Sequence, residues 1–198
     1  MRIISLTGPD GAGKTTLAEK IKQLDPTTIV LHQGYRFRKV IPIYHTVVLK
    51  KAIRLAALGH TVILDRWWHC EYVYAGVHRG GTRWPSYGRH LHHLANSVGV
   101  MNCVCTLAPA QAAEHMALTD RPELYTGADL AAKVALAYTQ LLSGASGDST
   151  LTGYALQIAL DGGLAKVDPQ NTTSYSWHLD DLDVTAQRLL TPSSSLHP

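Results

Sequence analysis

Short apolar runs alternate along the chain with longer amphipathic stretches. The short runs are rich in β-branched residues and predict strands at Arg2–Thr7, Thr27–Leu31, Thr61–Leu64 and Met101–Leu107, with Ser174–Leu179 as a further candidate. The longer stretches carry apolar residues three or four positions apart and predict helices from Gly13 to about Gln23, over Val40–Leu58, from Pro109 onward, and over Leu130–Leu142 and Leu182–Leu190. This alternation favours a roughly five-stranded parallel sheet covered by helices on both faces.

Composition limits the class of protein further. The chain has 198 residues, 45% of them hydrophobic and 17% charged, which fits one domain over 1–190 with a flexible tail at 191–198. Residues 143–176 are turn-rich, and the sequence assigns them no role. A net charge of +3 suits a phosphate-bearing ligand but is too small to indicate nucleic-acid binding. With three cysteines and no recognisable signal peptide or membrane span, we expect a cytoplasmic protein that does not bind membranes.

A glycine-rich sequence follows the first predicted strand. Residues 8–15, GPDGAGKT, match G-x-x-x-x-G-K-[ST], in which glycines let successive backbone N–H groups turn toward a phosphate. Lys14 is expected to reach the β- and γ-phosphates and the Thr15 hydroxyl to bind Mg²⁺, next to the positive end of the following helix. The sequence thus predicts binding of ATP or GTP with magnesium by this cradle, through Gly8, Asp10, Gly11, Ala12, Gly13, Lys14, Thr15 and Thr16.

The third predicted strand ends in two charged residues. Ligands bind at the carboxyl ends of parallel strands, so we expect Asp65 to hold Mg²⁺ through water or to orient the attacking oxygen, although it could also cap the next helix. Arg66 is expected to clamp a phosphate. The chain lacks the N/T-K-x-D motif of GTPases, and Arg66 stands where large ATPases carry glutamate, so a small-molecule kinase is favoured.

Together these motifs resemble those of the thymidylate kinases and related deoxynucleoside and deoxynucleotide kinases. The resemblance spans residues 3 to about 142 and rests on GPDGAGKTT at 8–16, D-R-W at 65–67, L-A-P at 107–109, D-R-P-E-L-Y at 120–125 and A-Y at 137–138. The form D-R-W-x-x-x-E-x-V-Y-x-G is similar to versions associated with bacteriophage genomes. The resemblance implies a three-layer P-loop NTPase fold, ATP as donor with Mg²⁺, and a bacterial or phage-infected host cytoplasm. It also implies a catalytic set of Lys14, Asp65, Arg66 and the lid residue Arg121.

Two positions depart from the family pattern. Thr7 stands where the family has a glutamate before the first cradle glycine. The sequence H-Q-G-Y-R-F-R at 32–38 stands where the family has R-E-P-G. Because that segment would meet the acceptor, the departure leaves the identity of the acceptor undecided. It does not change the predicted class of reaction.

Three segments are expected to bind the acceptor. The resemblance assigns Asp10 a hydrogen bond to the acceptor sugar, and the segment after the second strand would meet the acceptor's phosphate and base unless it is merely a basic loop. In the helix after Asp65, Trp67, Glu71 and Tyr74 share one face at i, i+4 and i+7, which we expect to line the pocket while the adjacent face packs as core. The predicted acceptor-binding residues are Asp10, Tyr35, Arg36, Phe37, Arg66, Trp67, Glu71, Tyr74 and Arg79.

The resulting hypothesis is an ATP- and Mg²⁺-dependent kinase of a deoxynucleoside monophosphate, either dTMP or a 5-substituted pyrimidine analogue. Two enzymatic alternatives stay open: a deoxynucleoside kinase, and a phage-type kinase that acts on a hydroxyl of modified DNA containing 5-hydroxymethyluracil. An alternative of another class is a nucleotide-binding regulatory module without turnover. The oligomeric state is also open, with a homodimer as one alternative.

Overall fold

The architecture comes from a computed structural model that describes residues 1–32, 41–79, 85–118, 127–145, 172–176 and 180–191. The described residues form five strands: β1 (Arg2–Thr7), β2 (Ile29–His32), β3 (Thr61–Asp65), β4 (Met101–Thr106) and β5 (Thr172–Ser176). They form seven helices: α1 (Lys14–Leu24), α2 (Ile41–Ala57), α3 (Trp68–Arg79), α4 (Pro85–Ser97), α5 (Pro109–Leu118), α6 (Ala128–Ala145) and α7 (Leu182–Leu190). None of these described helices combines the length and apolarity that crossing a membrane requires.

The strands form one parallel sheet in the order β2-β3-β1-β4-β5. Side chains alternate between the two faces, so Val62 and Leu64 pack into one core while Ile63 between them packs into the other. The first core is closed by α2, α3, α4 and one side of α6, and the second by α1, α5, α7 and the other side of α6. The predicted five-stranded parallel sheet with helices on both faces is confirmed.

The sheet order places β1 at the centre of the candidate site. The chain leaves β1 toward the β3 side of the sheet and later crosses to β4 on the other side, so the direction of winding reverses at β1. Open α/β sheets bind ligands in the crevice at such a switch point, beyond the carboxyl ends of the strands. The glycine-rich cradle follows β1 directly and therefore lies at this crevice.

The structure differs from the sequence predictions chiefly at β2, at β5 and in one additional helix. β2 begins at Ile29 and not at Thr27, because the Asp25 carboxylate accepts hydrogen bonds from the Thr27 backbone N–H at 3.0 Å and the Thr27 hydroxyl at 2.6 Å, which hold a turn. β5 spans Thr172–Ser176, and the predicted continuation over 177–179 lies outside the described residues. Helix α4 was not predicted, because its buried Leu91 and Ala95 stand among histidines and other polar residues that obscure the apolar stripe.

His45 of α2 makes the stability of this fold dependent on pH. The side chain is buried, its Nδ1 lacks a hydrogen-bond partner among the described residues, and burial lowers its pKa from 6.5 to about 4. As the pH falls, His45 therefore becomes protonated near pH 6.5 in the unfolded chain but only near pH 4 in the folded chain. We expect the free energy of unfolding to fall by up to about 3 kcal/mol across this window and to be unaffected by His45 above it.

Urea denaturation at pH 7.0 and pH 4.5 measures this effect. The His45→Phe variant keeps an aromatic ring but cannot titrate, so its loss of stability between the two pH values should be smaller than that of the wild type. Equal losses in the two proteins would contradict the assignment to His45, since the other histidines are common to both.

Candidate active site

The turn from β1 into α1 depends on glycine at two positions. Gly8 has a φ of 150° and lies against β4, where a Cβ atom would come within 2.2 Å of the Cys105 carbonyl oxygen. Gly13 precedes α1 with φ 74° and ψ 12°, a left-handed conformation that other residues rarely adopt. The chain can therefore turn tightly enough to place the unpaired N–H groups of the first turn of α1 at the carboxyl edge of the sheet.

Lys14 is held against this cradle by the cradle's own backbone. Its Nζ donates hydrogen bonds to the carbonyl oxygens of Gly8 at 2.9 Å and Pro9 at 2.5 Å, and the residue is only 7% exposed. The next two residues, Thr15 and Thr16, are exposed in the first turn of α1. The ammonium group thus lies beside the backbone that would surround a phosphate, with two hydroxyl-bearing side chains accessible next to it.

Asp65 ends β3 with its two carboxylate oxygens in different states. Oδ2 accepts a hydrogen bond from Nδ1 of His32 at 2.6 Å. Oδ1 is buried and lacks a hydrogen-bond partner among the described residues, which is a costly state for a carboxylate oxygen. An unsatisfied carboxylate oxygen and the accessible Thr15 hydroxyl are hard oxygen ligands, so the residues present fit a Mg²⁺ ion held by Thr15 and Asp65. A bound Mg²⁺ would neutralise charge on the donor phosphates.

Arg66 connects the end of β3 to the cradle. Its backbone has a φ of 61°, in the left-handed region, and its N–H donates to the Leu6 carbonyl of β1 at 3.0 Å. The guanidinium forms an ion pair with Oδ1 of Asp10, and the Tyr74 hydroxyl of α3 donates to Oδ2 of the same carboxylate at 3.3 Å. Three predicted site residues, from the cradle, the strand end and α3, therefore form one contact cluster.

A buried polar contact behind the cradle explains Thr7. This residue is fully buried, and its hydroxyl donates to the Tyr138 hydroxyl of α6 at 3.4 Å and lies 3.1 Å from Sγ of Cys70. Burial raises the pKa of Tyr138 well above its ordinary value, so its phenol stays neutral. A hydroxyl suits this enclosed position, whereas an unpaired carboxylate would carry a large desolvation cost.

The residues after Arg66 do not all lie where the predicted helix face would put them. Trp67 is 0% exposed, and its indole Nε1 donates to the His45 carbonyl at 3.4 Å, so this predicted pocket residue lies in the core beside Trp68. The prediction assumed that Trp67 is already helical, but α3 begins at Trp68. Trp67 therefore does not share the helix face of Glu71 and Tyr74. Tyr74 does reach Asp10, and Glu71 is partly exposed in the first turn of α3.

The remaining predicted residues lie outside this description. Tyr35, Arg36, Phe37 and Arg121 fall outside the described residues. Arg79 is the last residue of α3, and its side chain lies outside them as well. Their roles stay predictions.

A small cavity of about 20 Å³ adjoins Asp10 and Tyr74. This volume accommodates about one water molecule, so the cavity is not by itself a nucleoside pocket. Its walls come from the cradle, α3, α5 and α6, through Pro9, Asp10, Tyr74, Ala112, Leu130, Ala131 and Val134.

Comparison with known proteins gives a structural likeness without a sequence match. No protein-family model matches the chain, and no curated protein matches its sequence. YorR protein from Bacillus subtilis, solved in complex with phosphorylated GDP, has a TM-score of 0.56 at 16% identity over 95% of this chain and 93% of its own.

Deoxyadenosine kinase from M. mycoides is similar to the chain in two solved states. With bound dATP it has a TM-score of 0.55 at 14% identity over 96% of this chain and 100% of its own. With the products dCMP and dCDP it has a TM-score of 0.53 at 13% identity over 95% of this chain and 96% of its own. At these identities the likeness shows the fold, and the chain has the P-loop NTPase fold that this deoxynucleoside kinase also has.

Proposed function

We propose that this protein transfers the γ-phosphoryl group of ATP, with Mg²⁺, to a deoxynucleoside monophosphate, and that dTMP or a 5-substituted pyrimidine analogue is the leading acceptor. The observation that carries the proposal is the contact between Arg66 and Asp10, which joins the charged end of β3 to the phosphate-binding cradle. A phosphoryl-transfer site needs the donor phosphates and the acceptor held side by side. The contact supports the proposal because it joins a residue of the predicted cradle to a residue predicted to bind the acceptor.

On the donor side, the chain supplies positive charge and backbone donors. The N–H groups at the start of α1 and the Lys14 ammonium would bind the β- and γ-phosphates, and Thr15 with Asp65 would hold the magnesium ion. Phosphoryl transfer depends mainly on positioning and on neutralising charge, so no covalent intermediate is required. The predicted lid residue Arg121 would add charge on the transferring group.

On the acceptor side, Arg66 is the cation closest in sequence to the carboxylate that ends β3. Its side chain is 28% exposed, so it can exchange part of its contact with Asp10 for a phosphate of the acceptor. Freed in this way, the Asp10 carboxylate would accept a hydrogen bond from the acceptor sugar. Tyr74, which already donates to Asp10, would border the same site.

A deoxynucleoside kinase is the second candidate, and the state of Asp65 favours it. A nucleoside offers a 5′-hydroxyl, whose proton must be accepted, whereas a monophosphate attacks through an oxygen that is already anionic. Oδ1 of Asp65 is a carboxylate oxygen without a partner among the described residues and could accept that proton. The likeness of the fold to deoxyadenosine kinase supports the same candidate.

An ADP-release assay against the deoxynucleosides and the deoxynucleoside monophosphates tests the proposal. We expect Mg²⁺-dependent turnover with a pyrimidine monophosphate, abolished by chelation and strongly reduced in Lys14→Met. Turnover with nucleosides alone would move the assignment to the second candidate. ATP binding without turnover on any mononucleotide or nucleoside would contradict both, and labelled phosphate transferred to modified DNA would then identify a polymer acceptor.

A further inference from the structure

His32 at the carboxyl end of β2 lies against the carboxylate that the proposed reaction uses. We propose that His32 is a positioning residue, which holds Oδ2 of Asp65 and thereby fixes the orientation in which Oδ1 meets the hydrated magnesium ion or the acceptor. This inference rests on the proposed function, and it gives a role to a residue that the sequence motifs named only as the start of the segment 32–38.

The parallel register of the sheet brings these two side chains together. His32 is the register partner of Asp65 across the β2–β3 pair, and each residue is the last of its strand. Side chains of register partners lie next to each other on the same face of a sheet, so the pairing of β2 with β3 makes the imidazole and the carboxylate neighbours. Nδ1 of His32 and Oδ2 of Asp65 are 2.6 Å apart, and because an ionised carboxylate only accepts hydrogen bonds, the imidazole is the donor.

The contact matters because the neighbouring cation is engaged elsewhere. Arg66 directs its guanidinium to Asp10, so within the described residues the hydrogen bond to the Asp65 carboxylate comes from His32. Without that bond the carboxylate could rotate about its Cβ–Cγ bond and exchange its two oxygens. Partners that orient a metal-binding or reacting carboxylate in this way typically contribute 10- to 100-fold to metal affinity or activity, so an effect of about that size is expected.

The exposure of His32 and Asp65 allows an experiment to distinguish a positioning role of His32 from a role in stability. The His32 side chain is 63% exposed and that of Asp65 is 12% exposed. Because the imidazole is mostly exposed, water can take its place on Oδ2 when it is removed, so this hydrogen bond contributes little to folding. Removing the imidazole should therefore leave the melting temperature within about 3 °C of the wild type while function changes.

Two substitutions and a matched control test the proposal. His32→Ala removes the donor, whereas His32→Asn places an amide N–H close to where Nδ1 stands. His60→Ala is the control, because Nδ1 of His60 contacts the Thr27 carbonyl at 3.1 Å near the opposite ends of β2 and β3. The measurements are kcat and KM for phosphoryl transfer, the melting temperature, and the Kd of ATP determined by calorimetry with Mg²⁺ and with EDTA.

We expect His32→Ala to lower kcat about 10- to 100-fold, or to reduce the Mg²⁺-dependent gain in ATP affinity by a similar factor, with ATP affinity in EDTA unchanged. His32→Asn should recover most of the loss, and His60→Ala should match the wild type. The proposal would be overturned if His32→Ala kept both the kcat and the Mg²⁺-dependent ATP affinity of the wild type. It would also be overturned if His32→Asn lost as much as His32→Ala. If the wild type transfers no phosphoryl group, the proposed function fails, but the Mg²⁺-dependent affinity still decides the role of His32.

Discussion

The Lys14→Met variant is expected to lose about 10³-fold in kcat for phosphoryl transfer while remaining folded. Lys14 is the cation of the cradle, bonded to the Gly8 and Pro9 carbonyls, and its charge would act on the phosphates where negative charge develops during transfer. Methionine has nearly the same length and fills the space of a residue that is 7% exposed, so packing is preserved. Steady-state kinetics with saturating ATP and acceptor measure the loss, and circular dichroism verifies the fold.

A second lysine in the same helix provides the control. Lys20 forms a surface ion pair with Asp183 of α7 at 2.5 Å, with side chains that are 24% and 59% exposed. Such pairs contribute little, so Lys20→Met should keep wild-type kcat and nearly wild-type stability. A kcat within threefold of the wild type in Lys14→Met would remove the cradle from the reaction and leave nucleotide binding by residues 8–15 without support.

The second large effect is on stability. Replacing Trp67 with alanine should lower the free energy of unfolding by about 3–5 kcal/mol, because a fully buried indole ring is lost from the core and its space cannot be refilled. Such a loss is a large fraction of the total stability of a typical domain. Urea denaturation at neutral pH measures it, with Val47→Ala on the exposed face of α2 as a control that should change stability by less than about 0.5 kcal/mol.

This experiment also separates the two positions considered for Trp67. If Trp67 lined the acceptor pocket, alanine would raise the KM of the acceptor and leave stability largely intact. Packing in the core predicts the reverse, a large loss of stability and an acceptor KM close to that of the wild type in protein that remains folded. An increased KM together with unchanged unfolding would show that the buried position is wrong.

The strands and most helices could be predicted because local patterns report them directly. The runs at Arg2–Thr7 and Thr61–Leu64 are apolar, bounded by turn residues, and lie within strands of the structure, while Leu182–Leu190 coincides with α7. Boundaries were predicted less well, since side-chain hydrogen bonds such as that of Asp25 to Thr27 end a turn or a strand without changing hydrophobicity. Helix α4 escaped prediction because its buried residues are few and are surrounded by histidines.

The candidate site shows the same division more sharply. The spacing of Gly8, Gly13 and Lys14 is a local property, because the glycines permit the tight strand-to-helix turn and the lysine supplies a cation beside it. The placement of Trp67 is not local, because it depends on where α3 begins and on the core beneath it. The sequence predicted that Trp67, Glu71 and Tyr74 share a face that lines the acceptor pocket. The structure buries Trp67 and Tyr74 in one core and leaves Glu71 partly exposed, and only the Tyr74 hydroxyl reaches the cradle, at Asp10.

The amino-acid sequence by itself determined the parallel α/β architecture and predicted a phosphate cradle, because the first follows from periodicity and the second from glycine, lysine and threonine at fixed spacing. Only the tertiary structure decided which charged groups meet. Asp10 and Arg66 are joined in an ion pair and His32 and Asp65 in a hydrogen bond, although more than 30 positions separate the members of each pair in sequence. These contacts arise from the order and register of β2, β3 and β1, which are set by the packing of two cores and not by any local pattern.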